Sequence, residues 1–214
     1  MRRVDLPGVH VGRCLIRGVS ASLVGCRHRL TQALLVGALT WAAAGSAEES
    51  RVPPRLQAEL LAKVAAYDGR FAARARNGAL VLVVVAPGAA ESERFGDQIR
   101  AELGKQPRMG GMEHVEDTVR YSSAGELARL CRERRPAIVY LGPGLSAHAA
   151  VIAQALAGLD VLSVSAVPAD VAQGVVLGFE VISGKPKLLV HLPRARQQNV
   201  AFKPELLRLA RVIQ

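Results

Sequence analysis

Residues 79–85, Ala-Leu-Val-Leu-Val-Val-Val, carry no polar side chain at any position. A strand with one wet face alternates apolar and polar residues. A strand that is apolar throughout must be covered on both faces, as at the centre of a parallel sheet. Parallel neighbours need a crossover connection, in practice a helix. This single run therefore commits the chain to an α/β architecture.

The flanking sequence supplies the crossovers. Leu56, Leu60, Val64, Tyr67 and Phe71 recur at intervals of three or four and predict one helix from Arg55, closed by Arg74, Arg76, Asn77 and Gly78. After Pro87-Gly88, a helix is predicted from Ala89 to Leu103, with Phe95, Ile99 and Leu103 inward. Gly110-Gly111 marks a turn, and Glu113–Tyr121 alternates like an outer strand with one solvated face. Ser122 or Ser123 caps the next helix, with Glu126 as the reciprocal capping residue. That helix turns Leu127, Leu130 and Cys131 inward and ends at Arg132–Arg135 before Pro136. Residues 137–141 and 160–165 repeat the buried-strand pattern on either side of a helix from Ser146 to Leu156.

The end of the chain reads differently. Val175–Ile182 and Lys187–Leu192 flank Ser183-Gly184 as a β-hairpin, and two short helices follow near 194–200 and 204–213. In the last of these, Leu206, Leu207, Leu209, Ala210 and Ile213 form an apolar stripe expected to pack on the domain itself. The expected fold is α/β, a mostly parallel sheet of about four strands flanked by helices, with a C-terminal hairpin and terminal helices.

Composition agrees with one domain and a leader. The 214 residues are 50% hydrophobic and 21% charged, which excludes a wholly disordered or collagen-like chain. Residues 1–47 carry half of the net charge of +10, so the folded part is less basic than the total suggests. Arg27 and Arg29, the apolar run Leu30–Ala44 and the small exit Gly45-Ser46-Ala47 are the three parts of a secretory signal. The apolar run is short of the roughly 20 residues a spanning helix needs. Expected are a signal peptide over 1–47 with cleavage after Ala47, a linker over 48–54, a single domain over 55–214, and no transmembrane helix after signal removal. Leu23-Val24-Gly25-Cys26 resembles a lipoprotein processing box, and Val24 read as an alternative start would leave a more compact signal.

Chemistry is sparse. There is no Gly-x-Ser-x-Gly elbow and no Walker run. Gly142-Pro-Gly144 follows a strand and opens a helix, but Ala147 stands where a dinucleotide fingerprint has its third glycine. His114, His148 and His191 lack a partner at ligand spacing, so no metal or other cofactor is expected, and Cys131 reads as a small core residue. The arginines between 129 and 135 end a helix, where cations favour the dipole, and aromatic residues are only 4% of the chain. Nucleic acid is therefore not an expected partner. In open parallel sheets, ligands bind at the carboxyl ends of strands. Those ends offer Gly88, Gly142, Gly144, Ser146, His148 and Ser165 as ligand or partner loops, or simply as short connections. No catalytic residue is expected.

Three stretches carry a family resemblance. Leu162-Ser-Val-Ser165 with Gly174-Val-Val-Leu-Gly-Phe179, Leu188-Leu-Val-His-Leu192 with Ala201-Phe202, and the closing run Phe202–Ile213 are similar to the YfiR family of small exported proteins. The resemblance covers about 150 residues and includes no catalytic motif. It implies a non-enzymatic periplasmic regulator that binds the periplasmic portion of an inner-membrane signalling protein, a diguanylate cyclase in the founding member; a second copy of the chain, forming a homodimer, is a further expected partner. The family's founding member also responds to redox through disulfides, which the lone Cys131 of the domain cannot form within itself. A solute-binding component linked to transport is the alternative.

Overall fold

The computed structural model describes residues 51–214; the leader 1–47, its cleavage point and linker residues 48–50 lie outside the described residues. Strand β1 (Ala79–Val85) is buried on both sides, as its composition requires. Val81, Val83 and Val85 face one core, and Leu82 and Val84 face the other. The first core is covered by α1 (Pro54–Ala66), α2 (Phe71–Ala75) and α3 (Ala90–Gly104). The second is covered by α4 (Ala124–Arg134) and α5 (Ala149–Ala155).

The sheet has seven strands rather than about four. β2 (His114–Arg120), β1, β3 (Ile138–Leu141), β4 (Leu162–Ser165) and β5 (Leu177–Ile182) run parallel in the order 2-1-3-4-5. β6 (Lys185–His191) returns antiparallel, and β7 (Arg211–Ile213) lies parallel to β6 at the edge. Both strands of the expected hairpin join the sheet, and β7 adds one more. The first hairpin strand joins the parallel set beside β4, where α6 (Ala169–Ala172) carries the crossover. Residues 211–213 extend instead of continuing a helix.

The hairpin turn holds only Ser183 and Gly184, at φ 50° and 72°, the backbone a two-residue turn between twisted strands demands. It is followed by α7 (Leu192–Gln197) and α8 (Pro204–Leu209). The expected closing stripe is divided as a result: Leu206 is buried, Leu207 half-buried and Leu209 68% exposed, with Ile213 in β7. Edge pairing outcompetes helix continuation here because β6 offers unpaired backbone groups that the chain end can satisfy.

The opening helix also differs from its predicted length. α1 ends at Ala66, Tyr67 is 40% exposed, and the inward residues are Gln57, Ala58, Leu61, Val64 and Ala65. The chain breaks because Asp68 pairs with Phe202 in an antiparallel bridge, with Lys203 N–H donating to the Tyr67 carbonyl at 2.9 Å. Arg74 is consequently not a solvated helix-end cation. It is buried, donating to Asp68 at 2.7 Å and to Asp160 at 3.0 Å. On the same side of the sheet, the Tyr140 hydroxyl donates to Gln57, whose amide donates to the Val52 carbonyl at 2.6 Å. Burial pushes the Tyr140 phenol well above its usual range.

Candidate functional site

A strand order of 2-1-3-4-5 places the topological switch between β1 and β3, where the chain leaves the sheet in opposite directions and a crevice opens at the carboxyl ends. The loops that border it are 86–89 after β1 and 142–145 after β3. They pack against each other. The Ala86 N–H donates to Ser92 Oγ at 2.8 Å, and the Gly142 N–H donates to the Val84 carbonyl at 2.8 Å. A Cβ on Gly142 would stand 3.1 Å from the Val84 oxygen, and one on Gly144 only 3.2 Å from Ala86 Cβ. Gly144 also holds φ 86°, which disfavours a side chain there. These glycines bring the two loops together, and the Gly142 amide is spent on that contact.

The remaining candidate residues separate into used and open ones. Ser165 is buried: it donates to Asp170 at 2.6 Å and accepts from the Val167 N–H at 3.0 Å, fastening β4 to α6. Gly142 is buried as well, whereas Gly88, Gly144 and His148 are exposed and Ser146 half-buried. His148 begins α5 through a short 3₁₀ turn (Ser146–His148) and lies against Tyr121 at the end of β2, ring centroids 5.0 Å apart. This pair is a small aromatic ledge on the α4–α5 side of the crevice.

The other histidines have local partners that spacing alone did not reveal. His114 contacts Glu116, two residues along β2, and the Gln106 carbonyl at 2.9 Å. The expectation that it lacks a nearby carboxylate is thus corrected; alternate residues of a strand share a face. His191 accepts from the Arg194 N–H at 3.3 Å and caps α7, and burial, together with Arg194, holds its imidazole below the usual value. Among the described residues no three His, Cys, Asp or Glu side chains gather as a metal site. The Cys131 thiol is buried, which pushes it up to about 12 and keeps it protonated at neutral pH.

One feature of the carboxyl end escaped the sequence reading. β5 pairs with β4 only at Leu177 and Gly178; Phe179 stays buried, and residues 181–182 and the turn project beyond the sheet. The projecting hairpin exposes Val181, Ile182, Lys185, Pro186 and Lys187. The signal in the sequence was Val-Ile-Ser-Gly-Lys-Pro-Lys, a strand pair with apolar residues and lysines but no inward partner.

Fold and site together define a doubly wound α/β protein that ends in an antiparallel hairpin, with its carboxyl-end loops packed and its hairpin exposed. The chain belongs to the YfiR/HmsC-like family, which matches residues 54–211. No curated protein matches the sequence. Among solved structures, it is similar to a conserved domain protein from Vibrio cholerae, with 14% identity and a TM-score of 0.52, covering 76% of this chain and 60% of that one. It is also similar to an ABC domain from Streptococcus pneumonia in complex with L-Trp, with 12% identity and a TM-score of 0.54, covering 75% and 62%. A substrate binding protein with adhesive properties from Clostridium difficile matches at 9% identity and a TM-score of 0.50, covering 68% and 57%. The chain spans about three fifths of the length of each, and the likeness is one of fold.

Proposed function

We propose that this chain is an exported, non-enzymatic regulator that docks on the periplasmic portion of an inner-membrane signalling protein, a diguanylate cyclase being the type of partner the family implies. The observation that carries the reading is the YfiR/HmsC-like match over residues 54–211, nearly all of the described chain. Two features of the site support docking over catalysis. Among the described residues the crevice hydroxyl that meets a carboxylate, Ser165, is buried and committed to Asp170 and the Val167 N–H, so it offers no exposed nucleophile. The surface that remains, Gly88, Gly144, Ser146 and His148 with the projecting hairpin, is broad and suited to a protein partner. Among the described residues no helix is long and apolar enough to cross a membrane. Export rests on the leader, with signal cleavage after Ala47 and a domain over 55–214.

The test is co-purification of the mature chain with the periplasmic portion of a cyclase encoded beside it. Val181→Asp with Ile182→Asp should keep the fold and lose the partner, and deletion of the gene should raise cyclase output. A cyclase indifferent to the deletion overturns the reading. Solute binding is the second reading, favoured by the fold shared with a substrate binding protein. It expects a small solute at the switch crevice and a permease gene nearby. Sedimentation of the mature chain reads out the homodimer, and its N-terminal sequence should begin near Glu48.

A further inference from the structure

The arginines between positions 129 and 135 are not equivalent. Arg129 is held between Glu126 and Glu133, and Arg134 donates to Asp117 at 2.5 Å. Arg132 and Arg135 have no carboxylate at ion-pair distance among the described residues, and neither does Arg76. These three line one cavity of about 400 Å³ at the amino end of the sheet, on a floor that includes Cys131 and Pro136. The single carboxylate of that cavity, Asp160, already accepts from Arg74 and Asn199.

The backbone adds a second observation. Arg76 stands at φ 54°, ψ −107°, the first central position of the tight turn in which the Gly78 N–H donates to the Ala75 carbonyl at 2.9 Å. That conformation belongs to glycine. Arg135 stands at φ 51°, ψ 55°, the left-handed cap of α4, where glycine or asparagine is usual. Two strained arginines therefore come from different elements to the same cavity. Helix-dipole compensation explains a cation within the last turn of α4, and Arg134 supplies one there. It gives no reason for an arginine on a turn outside that helix. Strain of this kind persists where the side chain itself is needed.

We propose that Arg76, Arg132 and Arg135 form a binding site for a phosphate-type oxyanion, in a cavity of small-ligand size at the end of the sheet opposite the docking surface. The anion is either a free phosphate or phosphomonoester, or the headgroup phosphate of an anionic lipid. Both present the same oxygens to guanidinium groups, which bind such oxygens by paired hydrogen bonds.

The mature chain should be titrated calorimetrically with inorganic phosphate and with glycerol phosphate, and floated with vesicles of phosphatidylglycerol or of phosphatidylcholine. Each experiment is repeated on Arg132→Gln, Arg135→Asn and Arg76→Gly. Soluble phosphate binding weakened about tenfold or more by each substitution supports the site with a free ligand. Flotation with phosphatidylglycerol alone, lost in the same variants, supports it with a lipid headgroup. Arg135→Asn and Arg76→Gly should unfold at the same or a higher temperature than the parent, because each relieves a strained backbone. Failure of the parent to bind either phosphate source, or equal binding by the variants, overturns the proposal. Binding only to a polyglutamate peptide overturns it too, in favour of an acidic protein segment.

Discussion

The two ends of this sheet treat polar chemistry in opposite ways. At the carboxyl end, where α/β proteins usually keep ligands, Ser92 and Ser165 are consumed by the connections they stabilise, and Gly142 and Gly144 let two loops close on each other. At the amino end, Arg74 is locked between two aspartates while three further arginines remain without carboxylates among the described residues. The difference teaches that a loop with the right residues is not yet a site. What matters is whether the side chains are spent on the fold or left over.

The most severe test of that contrast is Asp68. Its carboxylate accepts from Arg74 and also from the Ala201 N–H at 3.0 Å, and both members of the ion pair are almost fully covered. Asp68→Ala leaves the buried guanidinium with Asp160 as its remaining carboxylate and the Ala201 N–H without its acceptor, and should cost about 3–5 kcal/mol in urea unfolding. A loss below about 1 kcal/mol would mean that Asp160 and the Asn199 carbonyl suffice to hold Arg74.

At the carboxyl end the corresponding break is Gly144→Ala. It forces a Cβ into the left-handed region and to within 3.2 Å of Ala86 Cβ, and should cost about 1–3 kcal/mol by thermal or chemical unfolding. A neutral effect would show that the two loops are not closed on each other, and would revive the solute-binding reading. Arg76→Gly is expected to act the other way, stabilising the fold by about 1 kcal/mol through relief of backbone strain. Destabilisation by that change would assign Arg76 a structural role.

The smallest effect at neutral pH belongs to Cys131. In the unfolded chain a cysteine titrates near about 8.5, whereas burial pushes this one up to about 12. Its contribution to stability is therefore intact below the unfolded value and falls as pH rises from there toward the folded value. Unfolding curves should show no change from this group at pH 7 and a decline above pH about 9 that is absent in Cys131→Ala. Iodoacetamide at pH 8 should label the Cys131 peptide at the rate of unfolding. Labelling as fast as a free thiol would expose the pocket floor.

Much of the fold was legible because the informative residues act locally. Residues 79–85 and 137–141 can only be central strands, and Ser123 caps α4 as its spacing with Glu126 suggests, accepting from the Glu126 N–H at 3.2 Å. Less of the site was legible. Exposed Gly88 and Gly144 look the same in sequence as buried Gly142, and nothing next to Ser165 announces that Asp170 will accept a hydrogen bond from its hydroxyl. The projecting hairpin is likewise a matter of register, since it is set by where β4 stops and not by its own residues.

The sequence by itself determined the buried parallel sheet, the crossover helices, the hairpin and the family, because each follows from apolar periodicity or from residues close along the chain. The tertiary structure alone decided which polar groups are spent. Asp68 meets Arg74 only because α1 breaks to bridge Phe202, far along the chain. Residues 211–213 become a strand because β6 has an unpaired edge to fill. Arg132 and Arg135 share a cavity with Arg76 because the turn before β1 and the end of α4 lie at the same end of the sheet. Periodicity reports which face of an element is covered; which charge finds a partner depends on contacts between residues the chain separates widely.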